Sequence, residues 1–90
     1  MYEVSAGVRS TSSEDGGIVL DIIQGQMFRL NSVGALILDR LEKGHSEAKI
    51  SEGIARQYDI DKEMAARDVR TFLKSLEEYK LVRTQPEKKV

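Results

Sequence analysis

Cysteine is absent from this chain, and histidine and proline occur once each. Without thiols there is neither a disulfide framework nor a thiolate metal site, and a single imidazole makes a histidine-based metal centre a poor expectation. A cysteine-free chain fits a reducing cytoplasm. An excess of one charge is lacking too: 14 Lys and Arg face 15 Asp and Glu, a net charge of -1, so no long-range field draws a polyanion such as nucleic acid. The start, Met1-Tyr2-Glu3-Val4-Ser5, has no basic segment before an apolar run, and no window approaches a membrane span in length. Neither secretion by signal peptide nor insertion into a membrane is expected. An activated nucleophile, a metal set and a phosphate loop are also missing, so the expectation is a protein that is not an enzyme and uses no cofactor.

What is present amounts to one small α+β module. A chain of 90 residues buries a modest core and has little surplus stability. Tyr2 to Arg9 mixes β-formers with Gly7, which predicts a first strand, and Thr11 to Gly17 reads as a loop by composition. Asn31 or Ser32 caps a first helix over about Ser32 to Lys43, ended by Gly44. Ser46 caps a second, with Ile50, Ile54 and Tyr58 on one face, and Asp59-Ile60-Asp61 turns the chain. Asp61 caps the third, about Lys62 to Tyr79, whose apolar stripe is Ala65, Val69, Phe72, Leu73, Leu76 and Tyr79. Leu81 and Val82 fold back onto the core. One domain over residues 1–84 is expected, with residues 85–90, including Pro86, as a flexible C-terminal tail.

Gly16 to Asn31 is the richest segment, a hairpin that ends by capping a helix. A two-residue loop at Gln24-Gly25 gives a mixed face. A three-residue loop, Ile23-Gln24-Gly25, aligns Ile18, Leu20 and Ile22 with Phe28 and Leu30 and leaves Val19, Asp21, Met27 and Arg29 outside. The second register is preferred because its inner face is wholly apolar, with Leu20 and Leu30 as core residues. It pairs Ile22 with Gln26, so the backbone of Gln26 and Phe28 points to the preceding strand and that of Met27 and Arg29 to a free edge. A sheet followed only by helices leaves such an edge open, and an open edge accepts an extended peptide.

The run GIVLDIIQGQMFRLN (Gly17 to Asn31), Val33-Gly34-Ala35-Leu36-Ile37, the Tyr58-Asp59-Ile60-Asp61 turn, and Asp68-Val69 through Phe72-Leu73, Ser75 and Leu76 to Leu81-Val82 resemble the PqqD-like family. These are the precursor-peptide recognition elements of ribosomally made, modified peptides. The resemblance implies a three-stranded antiparallel sheet followed by three helices in a winged-helix-like arrangement, with a leader peptide added to the third strand beside the third helix. Carried onto this chain, it implies peptide-binding residues Gln26, Met27, Phe28, Arg29, Leu30, Asp68, Val69, Phe72 and Leu76. It also implies a non-catalytic adaptor, resembling the stand-alone proteins of lasso-peptide pathways or the PqqD chaperone, that presents a precursor to a separate leader protease or modifying enzyme. Such an adaptor is expected as a monomer or weak dimer.

The competing class is a winged-helix DNA-binding module, because the second helix, the turn and the third helix also read as helix-turn-helix. On the third helix Lys62, Arg67, Arg70 and Lys74 alternate with Glu63, Asp68, Glu77 and Glu78, which largely cancels phosphate attraction. His45, between Gly44 and Ser46, has no second ligand or nucleophile near it and reads as a helix-junction residue. Asp59 and Asp61 lack the further ligands of an EF-hand, so capping explains them better than calcium. Arg29 on the outer face reads equally as a partner for an acidic leader residue and as an edge charge that discourages aggregation.

Overall fold

The computed structural model describes residues 2–84; the expected tail at 85–90 lies outside them. In chain order the elements are β1 (Tyr2–Val4), β2 (Val8–Ser13), β3 (Gly16–Asp21), β4 (Gln26–Leu30), α1 (Ser32–Glu42), α2 (Glu47–Tyr58), α3 (Lys62–Glu78) and β5 (Val82–Thr84). β2, β3 and β4 form an antiparallel sheet in that order, and β1 pairs with β5 in a separate two-stranded sheet. The α+β class, with a three-stranded sheet and then three helices, is as the sequence predicts.

The first segments differ from expectation. Tyr2 to Arg9 is not one strand, because Gly7 at φ 80° breaks it into β1 and the start of β2. Most of the expected Thr11–Gly17 loop is strand: Ser13 pairs with Gly16, which leaves only Glu14 and Asp15 as the turn. Gly16, at φ 131°, sits where a Cβ would come 2.3 Å from the Leu30 carbonyl oxygen, so a side chain there would drive β4 away.

The β3–β4 register also differs from the preferred one. Asp21 pairs with Gln26, Val19 with Phe28 and Gly17 with Leu30, so the loop is the four residues Ile22 to Gly25. The reason is Asp21. Its carboxylate, buried, accepts the Gln24 N–H at 3.0 Å, and its carbonyl accepts the Gly25 N–H at 2.8 Å, with Gly25 left-handed at φ 68°. One residue more in the loop exchanges the faces of β3. Val19 is therefore fully buried beside Phe28 and Leu30, whereas Ile18 and Leu20, expected inside, are 39% and 45% exposed. Ile22 and Ile23, at the hairpin tip, are exposed as well.

The helices follow the sequence closely. The Asn31 side chain accepts the Gly34 N–H and opens α1, which packs on β2 and β3 with Ala35 against Gly17. A Cβ at Gly17 would meet the Ala35 Cβ at 3.0 Å. The Ser46 side chain caps α2 through the Lys49 N–H, and Asp59, left-handed at φ 52°, closes that helix. Asp61 occupies the N-cap position of α3 but its side chain makes no capping hydrogen bond, in contrast to the expectation. Ala65, Val69, Leu73 and Leu76 bury the α3 stripe against α2. Beyond α3, Lys80 is left-handed at φ 62°. The Lys80 N–H bonds to the Glu77 carbonyl and the Leu81 N–H to the Leu76 carbonyl, both at 2.9 Å. That Schellman closure turns Leu81 and Val82 into the core, where both are buried.

Candidate functional site

The β4 edge of the sheet carries the partly buried Phe28. The direction of its backbone groups follows from one hydrogen bond. The Ile22 N–H donates to the Gly7 carbonyl at 2.9 Å, and Gly7 and Ile22 continue the β2–β3 register. In an antiparallel ladder hydrogen-bonded pairs alternate with unbonded ones. Ile18, Leu20 and Ile22 therefore bond toward β2, and Gly17, Val19 and Asp21 toward β4. On β4, Gln26, Phe28 and Leu30 spend their backbone groups on β3, while those of Met27 and Arg29 point away from the sheet. This orientation agrees with the expected one although the register differs.

Side chains on β4 alternate accordingly. Phe28 and Leu30 are half-buried and pack against the core, whereas Met27 and Arg29 are exposed on the opposite face. α3 packs mainly on α2 and β5 rather than on β4, so a seam separates it from the strand. The Phe28 and Tyr79 rings span it, tilted at 53° with centroids 5.1 Å apart. This contact turns the flank of α3 that carries Tyr79 toward β4. Phe72, two turns earlier on that flank, is half-buried and reaches α1: a Cβ at Gly34 would lie 2.9 Å from the Phe72 Cζ.

The expected site residues separate into three groups. Gln26, Met27, Phe28, Arg29 and Leu30 come together along the edge. Phe72 and the exposed Asp68, one turn before it, lie on α3. Val69 and Leu76 are buried and hold α3 in place from beneath, with no surface to offer a ligand. Tyr79 lies outside the expected set although it ends the apolar stripe of α3. It is 56% exposed and touches Phe28, and its place at the end of that stripe is the signal that could have found it.

Electrostatics at the seam are mixed. Arg29 takes part in no ion pair among the described residues; the pairs formed there are Arg40 and Lys43 with Asp39, Arg70 with Glu47, and Arg83 with Glu3. Partial burial raises the Tyr2 phenol above its ordinary pKa, helped by the Glu77 and Glu47 carboxylates and opposed by Arg70. Among the described residues no three His, Cys, Asp or Glu side chains gather into a metal site, and no helix is long and apolar enough to cross a membrane.

Residues 16–82 match the family model described as coenzyme PQQ synthesis protein D (PqqD). The chain belongs to the PqqD family. The match runs from the start of β3 to the start of β5 and so contains the β4 edge, the seam and all of α3. Two solved structures resemble this PqqD-family chain over nearly its whole length. One is TbiB1 in complex with the TbiA(beta) leader peptide, at 29% identity and a TM-score of 0.85, covering 94% of this chain and 99% of that one. The other is lasso peptide synthetase B1 complexed with the leader peptide, at 26% identity and a TM-score of 0.82, covering 92% and 98%. No curated protein matches the chain.

Proposed function

We infer that this PqqD-family protein binds the leader of a ribosomally made precursor peptide as an extra strand on β4, and presents it to a separate protease or modifying enzyme. The observation that carries the reading is the edge itself: Met27 and Arg29 direct backbone groups outward beside a seam walled by Phe28, Phe72 and Tyr79. Backbone bonding along an edge supplies affinity with little demand on sequence, and side-chain pockets supply selectivity. The seam supports selectivity for apolar leader residues, because alternate side chains of an added strand lie over Phe28 and Leu30. That both structural relatives are leader-peptide complexes supports the same reading, as does the family. The protein is a non-catalytic adaptor of one domain, working as a monomer or weak dimer. Its effect on processing is to raise the concentration of precursor at the partner enzyme's active site.

The test is fluorescence anisotropy with two labelled probes, the leader encoded by the nearest short precursor gene and a duplex DNA. Leader binding at about micromolar or tighter is expected, with DNA no tighter than the non-specific range of about 10⁻⁴ to 10⁻⁶ M at physiological salt. Tight, sequence-dependent DNA binding with no response to the leader would establish a winged-helix DNA-binding module instead.

A further inference from the structure

Backbone pairing along an edge leaves a problem of register. An added strand can slide along β4 by two residues and keep the same face toward the seam, and a slip of one residue turns every side chain over. Apolar contact with Phe28 and Leu30 resists the one-residue slip but distinguishes poorly between positions two residues apart. The outer face of the sheet bears on this.

That face is open, because α1 covers the other one. Two rows of side chains cross it: Thr11, Ile18 and Arg29, then Arg9, Leu20 and Met27. A strand added to β4 lengthens both rows by one residue. One of its side chains then lies beside Arg29 and another, two positions along, beside Met27, with Cβ separations of about 4.5–5.5 Å. The two places differ in chemistry. Met27 is 63% exposed and lies beside the exposed Leu20. Arg29 is cationic, without an ion pair among the described residues, and flanks a shallow concavity that Thr11, Ser12, Ser13 and Ile18 also line. The one carboxylate among the described residues of that concavity, Asp15, belongs to the β2–β3 turn and forms no ion pair among them. The outward positions of the three strands hold two arginines and no acid.

We propose that Arg29 and Met27 set the register of the bound peptide, by selecting an aspartate or glutamate beside Arg29 and an apolar residue two positions away beside Met27. The inference rests on strand addition to β4, and it adds an outer-face code to the inner-face contacts of the seam. A shift of two residues in one direction places the acid beside Met27, and a slip of one turns it inward against the Phe28 ring, where a carboxylate loses water without gaining a partner. The geometry holds for a parallel or an antiparallel peptide, since alternation of faces is common to both.

The experiment uses phage-displayed random peptides selected separately on the wild-type protein and on Arg29→Glu, a substitution at an exposed position that leaves the core untouched. With wild type, aligned binders are expected to carry Asp or Glu at one position and an apolar residue two away. With Arg29→Glu the acidic position is expected to become Lys or Arg while the apolar one persists. A selected acidic peptide should bind Arg29→Glu about fivefold more weakly than wild type, and its acid-to-Lys version should reverse the order, as cross-strand charge pairs of up to ~1 kcal/mol require. Binders with the same charge preference on both proteins overturn the code and leave the adaptor reading standing. If neither protein selects any peptide, strand addition falls and the code falls with it.

Discussion

The sheet has two edges, β2 and β4, and they differ in what lies beside them rather than in whether they are open. On β2 the alternation of bonded pairs directs the backbone of Val8, Ser10 and Ser12 outward, but the Val8 N–H is already taken by the Ser5 carbonyl and the Ser10 hydroxyl donates to the Glu42 carboxylate on α1. Its residues VRSTSS are mostly polar, and the aromatic side chains that share hollows with it are single tyrosines, Tyr2 with Val8 at one end and Tyr58 with Ser12 and Ser13 at the other. On β4 the residues QMFRL run beside a seam holding Phe28, Phe72 and Tyr79. Backbone groups alone gain little, because water satisfies them equally well and a net hydrogen bond contributes only about 0.5–1.5 kcal/mol. An edge becomes a binding site when apolar surface next to it adds enough to offset the ordering of the peptide.

The most severe way to break this contrast is Phe28→Pro. Proline removes a backbone donor directed at Val19 and deletes the ring that joins the core to Tyr79. Loss of a well-packed Phe costs about 3–5 kcal/mol, and with the lost ladder bond this approaches the whole stability of a small domain, about 5–15 kcal/mol. Circular dichroism is expected to report an unfolded or strongly destabilised sheet; a native spectrum and melting point would refute the strand directions.

The two halves of the chain were unequally legible. The helices were readable because caps and stripes are local: Asn31, Ser46 and the Val69-Leu73-Leu76 spacing each act within a turn or two. The hairpin was not, because its faces depend on one residue of loop length. Ile18, Leu20 and Ile22 form an apolar set that a three-residue loop would bury, and the buried Asp21 carboxylate that lengthens the loop looks in sequence like an outward polar residue. The edge is the same in either register because Gln26 is the first paired residue of β4 in both, which leaves Met27 and Arg29 outward. Of the site, the strand and Phe72 were foreseeable, whereas Tyr79 required the Phe28 contact and the burial of Val69 and Leu76 required the packing of α3.

A smaller effect separates the seam from the core behind it. Phe72→Ala is expected to cost about 3 kcal/mol, at the lower end for a Phe because the ring is only half-buried, and to weaken leader binding in protein shown to be folded. Arg67→Ala, exposed on α3 and off its apolar stripe, should alter neither. Thermal melts give the stability and calorimetry the affinity. If folded Phe72→Ala binds leader as wild type does, the aromatic seam contributes nothing and β4 loses its advantage over β2.

Smaller again, Arg29→Pro acts on the edge without touching the core. The deleted N–H points away from the sheet, with no ladder partner among the described residues, and Phe28 before it is already extended, as a residue preceding proline must be, so the domain should stay folded. Leader affinity should fall by at least the worth of one hydrogen bond, roughly 0.5–1.5 kcal/mol, or about two- to twelvefold, and further for a leader whose acidic residue loses the Arg29 guanidinium. Normal affinity in the folded variant would show that the peptide does not pair with β4.

The least effect is expected from the same substitution on the other edge. Ser12 lies on β2 with its backbone directed outward, and its neighbour Thr11 is extended in the ladder with Ile18. Proline at an edge position that faces away from the sheet removes no ladder bond, so Ser12→Pro should fold with a melting point near that of wild type. If binding needs only an open edge, β2 and β4 are equivalent, and proline at either should halve the available sites and show as a reduced stoichiometry in calorimetry. If binding needs the edge and its aromatic seam together, Ser12→Pro should bind leader with unchanged affinity and stoichiometry while Arg29→Pro does not. A fall in leader affinity for folded Ser12→Pro would therefore move the site to β2 and remove the physical reason for preferring β4.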